Sequence, residues 1–237
     1  MTAKLVAITQ PLQRIKIEPL KDWMLQGADR LMTVEEFLAF VARVSNPDNQ
    51  NNTLTAPKLL KYLVKNKHWS PFEMVNVVME INSTRDIVRQ ILRHRSFSFQ
   101  EFSQRYADPT QMGFVMKEAR LQDSKNRQNS IEVGDEMSML KFNWAKQQLS
   151  VKEAAEKAYK WATDNGIAKE VARVVLPEGL TSSRLYMNGT LRSWIHYCDL
   201  RMKPSTQKEH REIAVESWQE ICEQFPSLDE LVIGQAE

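Results

Sequence analysis

Between Thr84 and Tyr106 the chain reads TRDIVRQILRHRSFSFQEFSQRY, and two different periods meet inside it. Ile87, Val88, Ile91 and Leu92 recur at helical spacing, which predicts a helix with one buried stripe ending in Arg93, His94 and Arg95. Directly afterwards Phe97 and Phe99 alternate with Ser96, Ser98 and Gln100, a period of two that buries rings on one side and presents polar groups on the other. A turn through Glu101 to Arg105 then gathers backbone and side-chain donors. Arginine offers several donors in a fixed fork, and a serine with turn amides completes a cage for phosphate or another planar anion. Gln90 and Arg93 share a helix face, and Arg89 stands one turn before Arg93; two adjacent cations repel, so a glutamate or a bound anion is expected beside them.

The flanking text supplies elements for this stretch to pack against. Leu5 to Thr9 reads as a strand, and Thr33 to Glu36 has capping-box spacing for a helix running to about Ser45. A polar loop over 46–53 precedes a second helix after Pro57, with Leu59, Leu60 and Leu63 facing a core. Phe72 to Ile81 reads as a strand, interrupted by Asn82 and Ser83, with Ser83 placed to cap the next helix. Asp123 to Asn129 reads as an exposed loop. Glu136 to Asp164 reads as a helix with an intermittent apolar stripe, a breaking point at Ser150 and a stop at Asn165-Gly166. A shorter helix from Ala168 ends before Pro177, Leu185 to Met187 reads as a short strand, and Asn188 with Gly189 can shape a turn. Thr190 caps the helix LRSWIHYCDLRM, and Thr206 to Glu209 forms a capping box for the last helix, whose Ile213, Trp218 and Ile221 need a core. With no internal repeat and no low-complexity linker, residues 1–237 read as one domain.

Composition limits the functions available. Lys and Arg total 32 against 30 acidic residues, a net charge of +2 that does not favour a nucleic-acid binder but leaves local arginine clusters free to hold smaller anions. Cys198 and Cys222 make neither a disulfide framework nor a metal cluster, and the sequence shows no secretory stretch or membrane span, so a cytoplasmic protein without a metal site is expected. Cys198 lies in an apolar-periodic helix before Asp199 with no identified activating base, a poor setting for a nucleophile.

The motif RHRSFSFQEFSQRY resembles the signature of the flavin-dependent thymidylate synthases. The resemblance extends through Ser45 in ARVS, His68 and Glu73 in HWSPFE, Gln90, Arg173 in ARVVLP and the segment MNGTLRSWIHYCDLR, in matching order from about Ser45 to Glu212. It implies an α+β fold, a mixed or antiparallel sheet with flanking helices, in an intertwined homotetramer with composite active sites. It also implies FAD, with dUMP as substrate and NADPH and methylenetetrahydrofolate as cosubstrates. By that resemblance Gln90, Arg93, Glu101, Ser103, Gln104, Arg105, Arg173 and Arg201 are nucleotide-site positions, with Arg201 and Ser103 as the catalytic pair. Ser103, Arg105 and Arg173 take the phosphate, Glu101 orients the nucleotide, and Arg201 binds the pyrimidine. Ser45, His68, Ser70, Glu73, Arg93, His94, Arg95, Glu101, Asn188, Arg192 and His196 are the flavin-side positions. Unlike classical thymidylate synthases, the resembled family uses no cysteine nucleophile. Gln100 and His196 stand where the family commonly has Asn, and a small insertion falls between Pro177 and Arg192. Arg192 and Arg201 are nine positions apart in one predicted helix, on nearly opposite faces, so they need not share a pocket within one chain.

Overall fold

The computed structural model describes residues 1–16 and 29–229. The chain begins with β1 (Thr2–Ile8), longer at its start than the LVAIT pattern predicts, and β2 (Arg14–Lys16) pairs with β3 (Asp29–Leu31) in a separate antiparallel ribbon. Thr33 caps α1 (Val34–Ala42): its hydroxyl accepts from the Glu36 amide, and the Glu36 carboxylate accepts from the Thr33 amide. This helix stops short of Ser45, at Arg43, whose guanidinium turns to the Asn52 carbonyl and the Thr55 hydroxyl. α2 (Ala56–Lys65) carries Pro57 in its first turn and buries Leu60 and Leu63.

A 3-10 turn at Ser70–Met74 occupies the start of the predicted Phe72 to Ile81 strand, because Pro71 sets the helical φ and Phe72 is drawn wholly into the core. The strand itself, β4 (Asn76–Thr84), runs through Asn82 and Ser83 instead of breaking there. Ser83 is therefore a strand residue, and Thr84 stands at the cap of α3 (Arg85–Ile91), its hydroxyl bonded to Asp86. That helix ends one turn earlier than the arginine-rich run suggests, leaving Arg93, His94 and Arg95 in the turn before β5 (Ser98–Glu101).

β6 (Arg120–Gln122) and β7 (Ser130–Glu132) form a hairpin around the expected 123–129 loop. α4 (Ser138–Asp164) is unbroken at Ser150 and stops before Gly166, which takes the positive φ of +77° that a helix C-terminus favours. Ala155, Tyr159 and Ala162 pack with α5 (Lys169–Ala172) and Leu176, but Leu140, Trp144 and Leu149 of the expected stripe are exposed. β8 (Ser182–Thr190) is nine residues long, not three, and continues straight into α6 (Leu191–Arg201), where the Thr190 hydroxyl caps the Ser193 amide. α7 (Lys208–Gln224) and the short α8 (Pro226–Asp229) complete the chain. The predicted Thr206 box does not form: Gln207 stands at the cap, and Glu209 turns its carboxylate to Arg120 and Gln207.

The main sheet is antiparallel throughout, in the order β1-β4-β8-β5. Backbone pairing of Asn82 with Arg184 and of Ser83 with Ser183 is what overrides the local breaking signal in β4. Alternation places Val77, Met79, Ile81, Leu185 and Met187 on a buried face, where they join Ile87, Ile91, Trp194, Tyr197 and Ile213 from α3, α6 and α7. Tyr186, Glu80 and Arg184 lie on the other face, where the Tyr186 hydroxyl donates to Glu80 Oε2 at 2.7 Å. The result is an α+β fold with flanking helices, as expected. Gly189 lies within β8, not in a turn; a Cβ there would come within 2.4 Å of the Phe97 ring, so the missing side chain admits that ring to the core.

Candidate functional site

β4 and β8 are antiparallel neighbours, and each passes directly into a helix. The helices therefore start from opposite ends of the sheet, and the C-terminus of α6 reaches the turn after α3. There Arg201 Nε donates to His94 Nε2 at 2.9 Å, although the residues are 107 positions apart. His94 also meets the edge of the Tyr197 ring, with centroids 4.9 Å apart. A ring nitrogen that accepts from a guanidinium must be bare, so the His94 proton sits on Nδ1 and the ring is neutral. Burial, then Arg201 and Arg93, hold its pKa down to about 4. Burial also lowers Arg201, against the opposing influence of the Tyr197 hydroxyl. Arg93 and Arg95 are exposed beside this junction. Gln90, at the end of α3, donates to Gln207 Oε1 at 2.8 Å.

A second group gathers between the 3-10 turn and the outer side of α6. Arg192 pairs with Glu73, and His196, one turn further along, lies against Trp69 with ring centroids 4.6 Å apart. Burial and then Arg192 lower the His196 pKa, with Asp199 opposing. His68 sits edge-on to Tyr62 at 6.1 Å, and Ser70 is exposed beside it. Apart from this group, Asn188 falls by alternation on the same face of β8 as Tyr186, and its buried Oδ1 has no hydrogen-bond partner among the described residues. Ser45 is exposed in the turn after α1, with no hydrogen bond to the rest of this group.

The third group follows β5. The Ser103 hydroxyl accepts from the Arg105 amide at 3.3 Å, Arg105 Nε reaches Glu170 Oε2 at 3.1 Å, and Arg173 Nε reaches the Glu170 carbonyl at 3.2 Å. Two arginines far apart in sequence thus converge on one residue at the start of α5. The Arg105 pair is exposed, and such a pair is weak enough for a competing anion to displace. Gln104 is buried with an unpartnered Nε2. Glu101 lies apart from these arginines, accepting from Arg85 at 3.1 Å and from Ser183 at 2.9 Å. The anion expected beside Arg89 is Glu178, at 3.4 Å, which also pairs with Arg85.

Sequence reading missed Glu170, Arg85, Trp69, Tyr197, Gln207 and His210. Only His210 left a usable signal: it falls on the apolar stripe of α7 with Ile213 and Ala214, where a polar side chain requires a partner. Cys198 is wholly buried, and burial drives its thiol pKa well upward, away from the thiolate a nucleophile needs.

Residues 29–227 match the family model described as thymidylate synthase complementing protein. The chain is 42% identical over 228 residues to the probable flavin-dependent thymidylate synthase of Paramecium bursaria Chlorella virus 1, covering 96% of this chain and 97% of the relative. It is 45% identical over 228 residues to the flavin-dependent thymidylate synthase of a Synechocystis species, with the same coverage of 96% and 97%. In fold it is similar to the crystal structure of a UMP/dUMP methylase PolB from Streptomyces cacaoi bound with 5-Br dUMP, with a TM-score of 0.72 at 22% identity over 99% of this chain and 96% of that one.

Proposed function

The chain belongs to the flavin-dependent thymidylate synthase family, and from that premise we propose that it converts dUMP to dTMP. Methylenetetrahydrofolate gives the one-carbon unit to uracil C5 and leaves as tetrahydrofolate, and NADPH is the reductant. FAD, when bound and reduced by NADPH, would supply the hydride. The observation that carries this reading is the meeting of the His94 turn with Arg201, since it joins the flavin-side and nucleotide-side positions in one contact.

The residues present fit a flavin. Asn188 Oδ1 lacks a donor that a flavin N–H or ribityl hydroxyl would provide, and Arg192, His68, Ser70, Arg95 and His196 offer donors for carbonyl and phosphate oxygens. Glu73 orients Arg192, and Trp69 backs His196. On the nucleotide side, Arg105 and Arg173 bind the phosphate with Ser103, Arg105 leaving Glu170 as it does so. Glu101, fixed by Arg85 and Ser183, orients the sugar or base, while Gln90 and Arg93 hold the same nucleotide. Arg201 binds the pyrimidine edge, and its guanidinium stabilises negative charge that develops on the ring. Neutral His94 lets that guanidinium keep its full charge and fixes its direction.

Because no hydrogen bond among the described residues joins the three groups to one another, we place the complete site between subunits of a homotetramer. Exposed Trp144 and Trp161 on α4 supply apolar surface for such an assembly. No helix among the described residues is long and apolar enough to cross a membrane. The test is anaerobic: add FAD, record its absorption after NADPH, then after dUMP with methylenetetrahydrofolate, and assay dTMP. Flavin reduction followed by substrate-dependent reoxidation with dTMP formation is expected; a folded protein that binds no flavin and makes no dTMP overturns the reading.

A further inference from the structure

A hydrogen-bonded chain runs without a break from the start of α7 to the buried centre of the molecule, and its polarity is set at one end. Glu209 forms an ion pair with Arg120. Burial raises the Glu209 pKa, but hydrogen bonds from its own amide and Gln207, with Lys117 and Arg120 nearby, outweigh burial and keep the carboxylate ionised. An ionised carboxylate only accepts. Gln207 must therefore turn its Nε2 to Glu209 Oε2, at 2.9 Å, which leaves its oxygen to accept from Gln90 Nε2 at 2.8 Å. Gln90 in turn presents its Oε1 to His210 Nδ1, 3.4 Å away. An oxygen there cannot donate, so His210 carries its proton on Nδ1, and its bare Nε2 accepts from the Tyr197 hydroxyl at 3.1 Å.

Each link has one donor and one acceptor, and a His210 protonated on Nε2 instead would set a bare Nδ1 against Gln90 Oε1 and leave the Tyr197 hydrogen without its acceptor. His210 is 0% exposed and Tyr197 is 1% exposed, so water offers no alternative partner. Burial, then Arg201 and His94, lower the His210 pKa to about 3, so the ring stays neutral and keeps a single tautomer. The Gln90 carboxamide is thereby held from both ends. One N–H and one carbonyl lone pair remain, pointing in a set order.

We propose that His210 and Tyr197 are positioning residues for Gln90, fixing the orientation in which its carboxamide meets the nucleotide. The inference rests on the reading of Gln90 as a nucleotide-site position. A carboxamide is nearly symmetric in shape, so an untethered one offers its donor and acceptor in either order and from several rotamers. Tethering both ends removes that freedom before the nucleotide arrives.

The test uses the FAD-loaded protein, with dUMP titrated at equilibrium and dUMP KM and kcat measured in turnover. His210→Leu keeps the volume but removes the donor; it should weaken dUMP binding roughly tenfold and raise KM in parallel, with kcat and FAD affinity within about twofold. His210→Asn places an amide nitrogen where Nδ1 lies but offers no acceptor to the Tyr197 hydroxyl, so it should lose about threefold, as Tyr197→Phe does, and stay well short of the His210→Leu loss. Tyr197→Phe, which removes one oxygen, should weaken binding roughly threefold and carries the test if His210→Leu does not fold. Gln90→Ala separates the two levels of the argument. If it leaves dUMP affinity unchanged, the nucleotide reading of Gln90 falls and the proposal with it. If Gln90→Ala weakens binding while His210→Leu and Tyr197→Phe do not, the proposal alone is overturned. A His210→Asn protein as impaired as His210→Leu also overturns it, because packing and not a directed hydrogen bond would then be at work.

Discussion

Arg201 uses Nε on the neutral ring of His94, which leaves the outer nitrogens of its fork for a ligand. Lysine at this position would keep a cation but could not bond His94 and present two further donors at once. Arg201→Lys is expected to lower kcat about a hundredfold while circular dichroism stays unchanged, the scale seen when one fixed donor to a developing charge is lost. Near-normal turnover would show that only charge matters there. At this scale the arginines were legible because their motif is continuous in sequence: RHR and the Ser103 to Arg105 turn can be read in one pass. Gln90 was legible as a position but not as an oriented group. Its partner His210 lies 120 residues away, and no local pattern encodes which amide atom faces it. Glu170 was silent for the same reason, being one exposed glutamate until folding sets Arg105, 65 positions away, beside its carboxylate.

β8 shows how an element can be right in kind and wrong in extent. Its three central residues were readable as a strand, but Asn188 and Gly189 carry turn chemistry that sheet pairing overrides, since each Asn76–Thr84 residue of β4 finds a partner along β8. Gly189 then has a packing role. Adding one methyl forces the Phe97 ring to move, and that ring packs edge-on against Trp194 at 5.0 Å and His94 at 6.4 Å. Gly189→Ala is expected to destabilise the protein by about 1–3 kcal/mol, the cost of overpacking a tight core, read as a lower urea midpoint at unchanged m-value. An unchanged midpoint would mean that β5 shifts without cost. The cap of α1 was correctly read because Thr33 and Glu36 satisfy each other locally, whereas the similar Thr206 to Glu209 pattern failed because Arg120, distant in sequence, takes the Glu209 carboxylate.

Across the whole molecule, His94 and His210 are kept neutral in the folded state, with burial as the main cause and pKa values of about 4 and about 3. In the unfolded chain both titrate near 6.5, so below that pH the unfolded state binds more protons than the folded one. Stability present above pH 6.5 is therefore lost as pH falls toward 4 and 3, with a slope for the fully buried His210 of up to roughly 1.4 kcal/mol per pH unit. Urea midpoints at pH 7.5 and 5 are expected to differ in that direction; equal midpoints would show the rings are not held neutral. Assembly gives a second prediction. Trp161, Val171 and Val174 are exposed together along an apolar groove beside α4 and α5; if the proposed homotetramer buries that groove, Trp161→Glu shifts sedimentation toward smaller species, and an unchanged profile overturns that placement. The exposed first half of α4 marks where single-chain reading stopped: its apolar stripe predicts burial, but Leu140, Trp144 and Leu149 stay exposed among the described residues. By itself the sequence determined the helix and strand types, the caps closed by neighbouring residues and the arginine-rich motif, because each depends on side chains a few positions apart. The tertiary structure alone decided where β4 and β8 end, that Arg201 reaches His94, and which way Gln90 faces, because those depend on groups about a hundred residues apart whose hydrogen bonds can be satisfied in only one arrangement once water is excluded.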